Sequence, residues 1–193
     1  LVDILQILID MIMVGMVSVY ALAAVGLSMQ FMMIINVLTT LYVVGGNALI
    51  SRFIGQRRKR RASALLFSLG VFAIVLSVFV SIGGYFGSEF MFGMMGAEAE
   101  VVSQGSLYFQ ILACGFAVIF IDTLLYNALS AAGDTKSSLY IKLFSAALNA
   151  FLNYVFIFGH YGFEAMGIEG AAYATVIAYA FNVVAYLLLL KIP

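Results

Sequence analysis

Across residues 20–53 the chain carries a single charged side chain, Arg52. A helix needs only about 20 residues to cross about 30 Å of hydrocarbon. This stretch is therefore long enough to span a bilayer while tilted, kinked or extended beyond it. It has company. Apolar runs between charge clusters and glycine-rich turns place six spans, at about 1–16, 20–53, 64–86, 101–131, 138–158 and 168–190. None alternates with the period of a strand, and the only proline is Pro193, so the expected fold is all-α, a six-transmembrane-helix bundle. Composition agrees. With 65% hydrophobic and 9% charged residues, the chain has too little charge to cover a water-soluble fold of 193 residues.

The connections are short, at 18–20, 56–61, 87–100, 133–137 and 159–167, and none has the length of a domain linker. Residues 1–193 are expected to form one unit. The first span is short and already apolar at Leu1, with no basic stretch before it. It reads as a helix cut at its front, in a piece of something longer, and not as a secretory signal. Gly26, Gly45, Gly46, Gly70, Gly83, Gly84 and Gly115 fall in the spans. Close helix packing is their expected use. Gly45 and Gly46 could also permit a bend in the second helix.

Charge sets the orientation. In a six-helix alternation all nine Lys and Arg fall on one side: Arg52, Arg57, Arg58, Lys59, Arg60, Arg61, Lys136, Lys142 and Lys191. The other side holds Glu89, Glu98, Glu100, Glu164 and Glu169. The basic side is expected in the cytoplasm, which puts the Arg57–Arg61 loop and both termini there in a multi-pass protein of the cytoplasmic membrane. The basic run is read as a topology signal that can also touch anionic lipid. Binding to nucleic acid is not expected.

Ionisable groups at membrane depth are functional candidates because they are costly there. Asp3 and Asp10, seven residues apart, share a face of the first helix, and Asp122 lies near mid-membrane on the fourth. No Lys, Arg or His is expected beside any of them. A desolvated carboxylate without a cationic partner takes up a proton or a metal cation. Asn149 and Asn153 form an i, i+4 pair whose amide oxygens could assist, and Thr175 sits among small residues of the sixth span. Asp3, Asn36, Asp122 and Asn127 are candidate substrate-cavity residues. Met11, Met13, Met29, Met32 and Met33 could line an adaptable cavity. Cys114 is expected to be a small buried apolar residue, and His160 a solvated loop residue. There is no glycine-rich phosphate loop, no Cys/His metal spacing and no Ser/His pair at depth. An intramembrane enzyme and an ATP-driven pump are therefore not expected, and no cofactor is.

Several segments, in order, resemble the MATE family of multidrug and toxic-compound exporters. They are Ile9-Asp10-Met-Ile-Met-Val-Gly15 with Ala21-Leu-Ala-Ala-Val-Gly26, then Gly46-Asn-Ala-Leu-Ile-Ser-Arg-Phe-Ile-Gly55, then Ala132-Gly133-Asp134-Thr135-Lys136. Leu148-Asn149, Asn153-Tyr-Val-Phe-Ile-Phe-Gly159 and Gly167-Ile-Glu-Gly170-Ala-Ala-Tyr-Ala-Thr-Val176 complete the series. The resemblance implies the amino-terminal lobe of a twelve-helix antiporter, paired with a second six-helix lobe in the same parent chain or a second copy. It implies export of small organic cations against incoming protons or sodium ions. It also implies a cation site at Asp10, Asn149, Asn153 and Thr175, the set that would hold a sodium ion. Some members carry Asp at the position of Asn153. With Asn there, one carboxylate remains instead of two, which lowers the negative charge available to sodium and affects a single-proton role for Asp10 less. The competing readings are a lipid-linked sugar flippase of the same superfamily, which would need buried Lys and Arg to hold a pyrophosphate, and a non-transporting membrane subunit.

Overall fold

The computed structural model describes residues 2–191, apart from the side chains of Asp3 and Lys191. The candidate Asp3 thus lies outside the described side chains. Six helices follow one another: α1 (Val2–Gly15), α2 (Val19–Gly55), α3 (Lys59–Met94), α4 (Ala99–Ala131), α5 (Thr135–Phe158) and α6 (Ile168–Lys191). There is no strand among the described residues. Helices α2 to α6 are each long and apolar enough to cross a membrane, and α1 is shorter. At 1.5 Å per residue, α2 and α3 reach about 55 Å, well beyond the hydrocarbon thickness.

Two boundaries differ from the sequence reading. Helix α3 begins at Lys59 and continues to Met94, where a span at 64–86 was expected. Gly87 and Gly93, which read as turn residues, stay helical because the chain first breaks at Gly96, whose φ is +70°. Helix α2 runs unbroken through Gly45 and Gly46. Gly46 instead gives Leu69 of α3 room to approach its backbone, so its use is close packing.

Helix α4 is the centre of the bundle. It packs on α2, α3 and α6 and, more lightly, on α5. More than half of its apolar window is buried (56%), against 11% for α3, whose outer face is left for lipid. The core is aromatic: Phe31 stands edge-on to Phe92 and Phe109, and Phe109 edge-on to Phe116. Cys114, expected to be buried, is exposed on α4. In a bilayer that surface is as apolar as a core, so burial and hydrophobicity part company there.

Interhelical hydrogen bonds add to the packing. Ser81 Oγ donates to the Ala113 carbonyl at 2.6 Å, Ser145 Oγ to that of Ala178 at 3.1 Å, and Tyr42 Oη to that of Phe120 at 3.2 Å. Helix α5 approaches α6 closely at Gly170, where a Cβ would stand 2.7 Å from the Phe156 carbonyl carbon. The α4–α5 turn closes on Asp134, whose carboxylate accepts the Ser137 N–H at 3.0 Å and caps α5. Hydrogen bonds from the Ser137 side chain and backbone hold that carboxyl below the usual range. His160 packs partly buried, stacked on the Tyr154 ring at 4.1 Å, and is not the freely solvated residue expected.

These contacts give two expected outcomes in thermal unfolding of the purified protein. Gly170→Val should destabilise it by about 1–3 kcal/mol, because backbone cannot yield as a side chain can. Asp134→Ala should lower the unfolding midpoint at neutral pH. A carboxyl depressed on folding stabilises above its unfolded value of about 4 and loses that contribution as pH falls through its folded value, so the gap to wild type should narrow in acid.

Candidate functional site

Three helices bring the candidate polar residues to one depth. Asp10 lies five residues before the end of α1, Asn153 five before the end of α5, and Thr175 seven after the start of α6. At 1.5 Å per residue each is about 7–11 Å inside the same end of the bundle. Helix α1 packs against α5, which lets these groups meet.

They form one hydrogen-bonded network. The Asn153 side-chain amide donates to Asp10 Oδ1 and to Asn149 Oδ1, the latter at 3.3 Å. The Asn149 amide donates to Thr175 Oγ1 at 3.5 Å. Both asparagines are fully buried. The buried Asn153 Oδ1 accepts no hydrogen bond among the described residues. A lone Thr in a helix commonly bonds back to its own turn; Thr175 accepts across to α5. Every acceptor here is oxygen, a hard donor set suited to a proton or an alkali cation. No cluster of three His, Cys, Asp or Glu that could hold a metal ion occurs among the described residues.

The network opens onto a cleft of about 390 Å³ between α1, α2, α4, α5 and α6. Asp10 and Thr175 line one part of it, with Met29, Met32 and Tyr108. Asn36, Asp122 and Asn127, expected in a substrate cavity, all line it too. Asn36 and Asn127 spend their amides on the Met32 and Thr123 carbonyls one turn back, and Asn127 Oδ1 also accepts from Asn47 at 3.2 Å.

One expectation is overturned. Asp122 was read as having no cationic neighbour, yet Lys142 Nζ lies 3.4 Å from its Oδ2. Lys142 reads from the sequence as one of the nine basic residues on the cytoplasmic side, at the flank of the α4–α5 turn. It sits seven residues into α5, about 10 Å deep, on the face that carries Asn149 and Asn153. Asp122 is nine residues before the end of α4. The two are thus placed at similar distances on either side of the α4–α5 turn. That symmetry was the available signal, and reading each helix separately missed it. Reading for charge alone also missed Tyr126 and Tyr179, whose rings lie 5.3 and 5.5 Å from Lys142 Nζ.

The chain is similar to known proteins over most of its length. A family model described as MatE matches residues 4–155. The probable multidrug resistance protein NorM of Bacillus cereus is 28% identical over 170 residues, which is 88% of this chain and 37% of that protein. An outward-facing multidrug resistance MATE family transporter of the MOP superfamily is 28% identical, with a TM-score of 0.88 over 99% of this chain and 42% of its own. An inward-facing structure under the same description is also 28% identical, with a TM-score of 0.89 over 98% and 42%. The chain spans about two fifths of the length of these relatives. The six helices, the order of the motifs and the match over most of the sequence leave one reading: this multi-pass membrane protein belongs to the MatE family, a family of transporters and not of enzymes.

Proposed function

We propose that this chain is the amino-terminal lobe of a cation-coupled antiporter that exports organic cations across the cytoplasmic membrane by alternating access. The observation that carries this reading is the buried network Asp10–Asn153–Asn149–Thr175 at the edge of the cleft. Asp10 takes the incoming ion, a proton or a sodium ion. The amide oxygens of Asn149 and Asn153 and the Thr175 hydroxyl supply its remaining neutral ligands. The second six-helix lobe closes the other side of the cleft.

Three observations support this. The basic residues of the α2–α3 and α4–α5 turns belong to alternate connections of the six helices, which supports a cytoplasmic Arg57–Arg61 loop by the positive-inside rule. Asp10 is then near the outer surface, where a driving ion arrives. The lobe matches an outward-facing and an inward-facing relative about equally well, as expected if lobes move as rigid bodies about a fixed site. The energetics suffice as well. One charge crossing 100 mV gains about 2.3 kcal/mol, and one pH unit adds about 1.4 kcal/mol. Exporting a monovalent organic cation against that potential and a hundredfold gradient costs about 5 kcal/mol, which two entering protons, at about 7 kcal/mol, cover.

A pyrophosphate-linked substrate fits less well. Lys142 is a lysine at membrane depth, but Asp122 pairs with it. With Asp10 also on the cleft wall, the lobe offers no surplus positive charge.

Asp10→Asn should abolish efflux of an organic cation from cells while leaving the membrane level of the protein unchanged. Normal efflux by that variant would remove Asp10 from the coupling step. Replacing the external sodium salt of those cells by isosmotic sucrose at constant pH separates the two ions: proton coupling predicts unchanged export, sodium coupling its loss. In a Cys114→Ala background, Gln6→Cys, on the cleft wall, should react with a membrane-impermeant thiol reagent. Leu8→Cys and Ile12→Cys, on the exposed outer face of α1, should not. Equal protection of all three would favour a non-transporting subunit with no watered cleft.

A further inference from the structure

The end of the cleft away from Asp10 has the chemistry of an ammonium receptor. Asp122 is 1% exposed and brings a carboxylate. Tyr126 and Tyr179 bring ring faces within the roughly 6 Å at which an aromatic attracts a cation. A carboxylate between aromatic faces is what recognises an alkylammonium or quaternary ammonium group. Here the occupant is the protein's own Lys142, 16% exposed and lining the cleft. Its 3.4 Å contact with Asp122 is longer than the 2.7–2.9 Å usual for a charge-assisted N–H···O bond. Lysine is a point charge on a flexible four-carbon stem. The ion pair thus sets a flexible cationic head against a buried carboxylate and two aromatic rings.

We propose that Lys142 is a tethered surrogate for the substrate's cationic group, filling the Asp122–Tyr126–Tyr179 box until an organic cation displaces it. This rests on the reading of the cleft as an organic-cation site and makes Lys142 a specificity-determining residue. The resident ammonium keeps the buried carboxylate neutralised when no substrate is bound. It also sets a threshold: only a cation that gains enough from the aromatic and methionine-lined walls can take the box. Strongly hydrated small cations are rejected, and flat or bulky lipophilic cations are accepted. Helix α5 links the two ends, because Lys142 and Asn153 share a face about 16 Å apart along it. A substrate in the box and an ion at Asp10 thus act on the same helix.

The test measures binding of tetraphenylphosphonium, and of an uncharged aromatic of similar size, to the full-length protein in lipid nanodiscs. Lys142→Met should bind tetraphenylphosphonium about tenfold or more tighter than wild type and the uncharged probe with unchanged affinity. Asp122→Asn/Lys142→Met, which removes both charges and is the milder change for folding, should lose that gain. In the wild type, saturating tetraphenylphosphonium should speed reductive methylation of Lys142, because the displaced amine enters the cleft. Slower methylation on binding, or a Lys142→Met affinity no greater than wild type, overturns the proposal. So does loss of an anionic probe with no change in cation affinity, which would make Lys142 an anion site. If the wild type binds no cation but Lys142→Met does, Lys142 is a fixed block and not a displaceable surrogate, which overturns the proposal. If wild type binds the cation and Lys142→Met binds it no better, only the surrogate role fails. If neither binds it, the organic-cation reading of the cleft fails as well.

Discussion

A carboxylate at membrane depth must find partners, and the helices around Asp10 are arranged to give it some. Asn153 donates to it from α5, so α1 and α5 are joined by a polar contact where lipid would not reward an apolar one. Asn153 in turn holds Asn149, and Asn149 reaches Thr175 on α6. The close approach of α5 and α6 at Gly170 is what brings Thr175 within range. Remove the amide at 153 and α1 keeps a costly charge with no compensating donor. Neutralise Asp10 by an incoming ion and the three-helix contact changes character. That dependence makes the network a credible place for an ion to bias the lobe between two arrangements.

The second buried carboxylate, Asp122, solves the same problem differently. It has a full counter-charge in Lys142, at similar depth on the neighbouring helix. The two aspartates thus divide the cleft. One end has a carboxylate with neutral partners, open to a small cation. The other has a carboxylate whose cation is supplied by the chain and embraced by two tyrosines. Breaking such a pair by removing one partner leaves an uncompensated charge, so whatever displaces Lys142 must bring a charge of its own.

Much of this was legible before any coordinates. Long uncharged runs fixed the number and type of elements, because a span's length is dictated by bilayer thickness. Asp10, Asn149, Asn153 and Thr175 were legible from the order of the motifs, and a shared helix face made the pair at 149 and 153 visible on its own. The end of α3 was not, because Gly87 and Gly93 are glycines that a long lipid-facing helix tolerates. The partner of Asp122 was not, because pairing across a helical hairpin has no period within either helix. Lys142 read as part of a basic flank because a count of positive charge by side ignores depth. Cys114 read as buried because hydropathy cannot tell a protein core from a lipid-facing wall.

The account's central claim is exchange of an ion for an organic cation, and counterflow in proteoliposomes of the full-length protein tests it most directly. Vesicles loaded with proton- or sodium-sensitive dye, at equal ion concentration on both sides and with the membrane potential clamped, would receive tetraethylammonium, an organic cation that does not cross lipid unaided, on one face. The account predicts that protons or sodium ions move in the opposite direction to the organic cation. Uptake of the organic cation with no countermoving ion of either kind would contradict it.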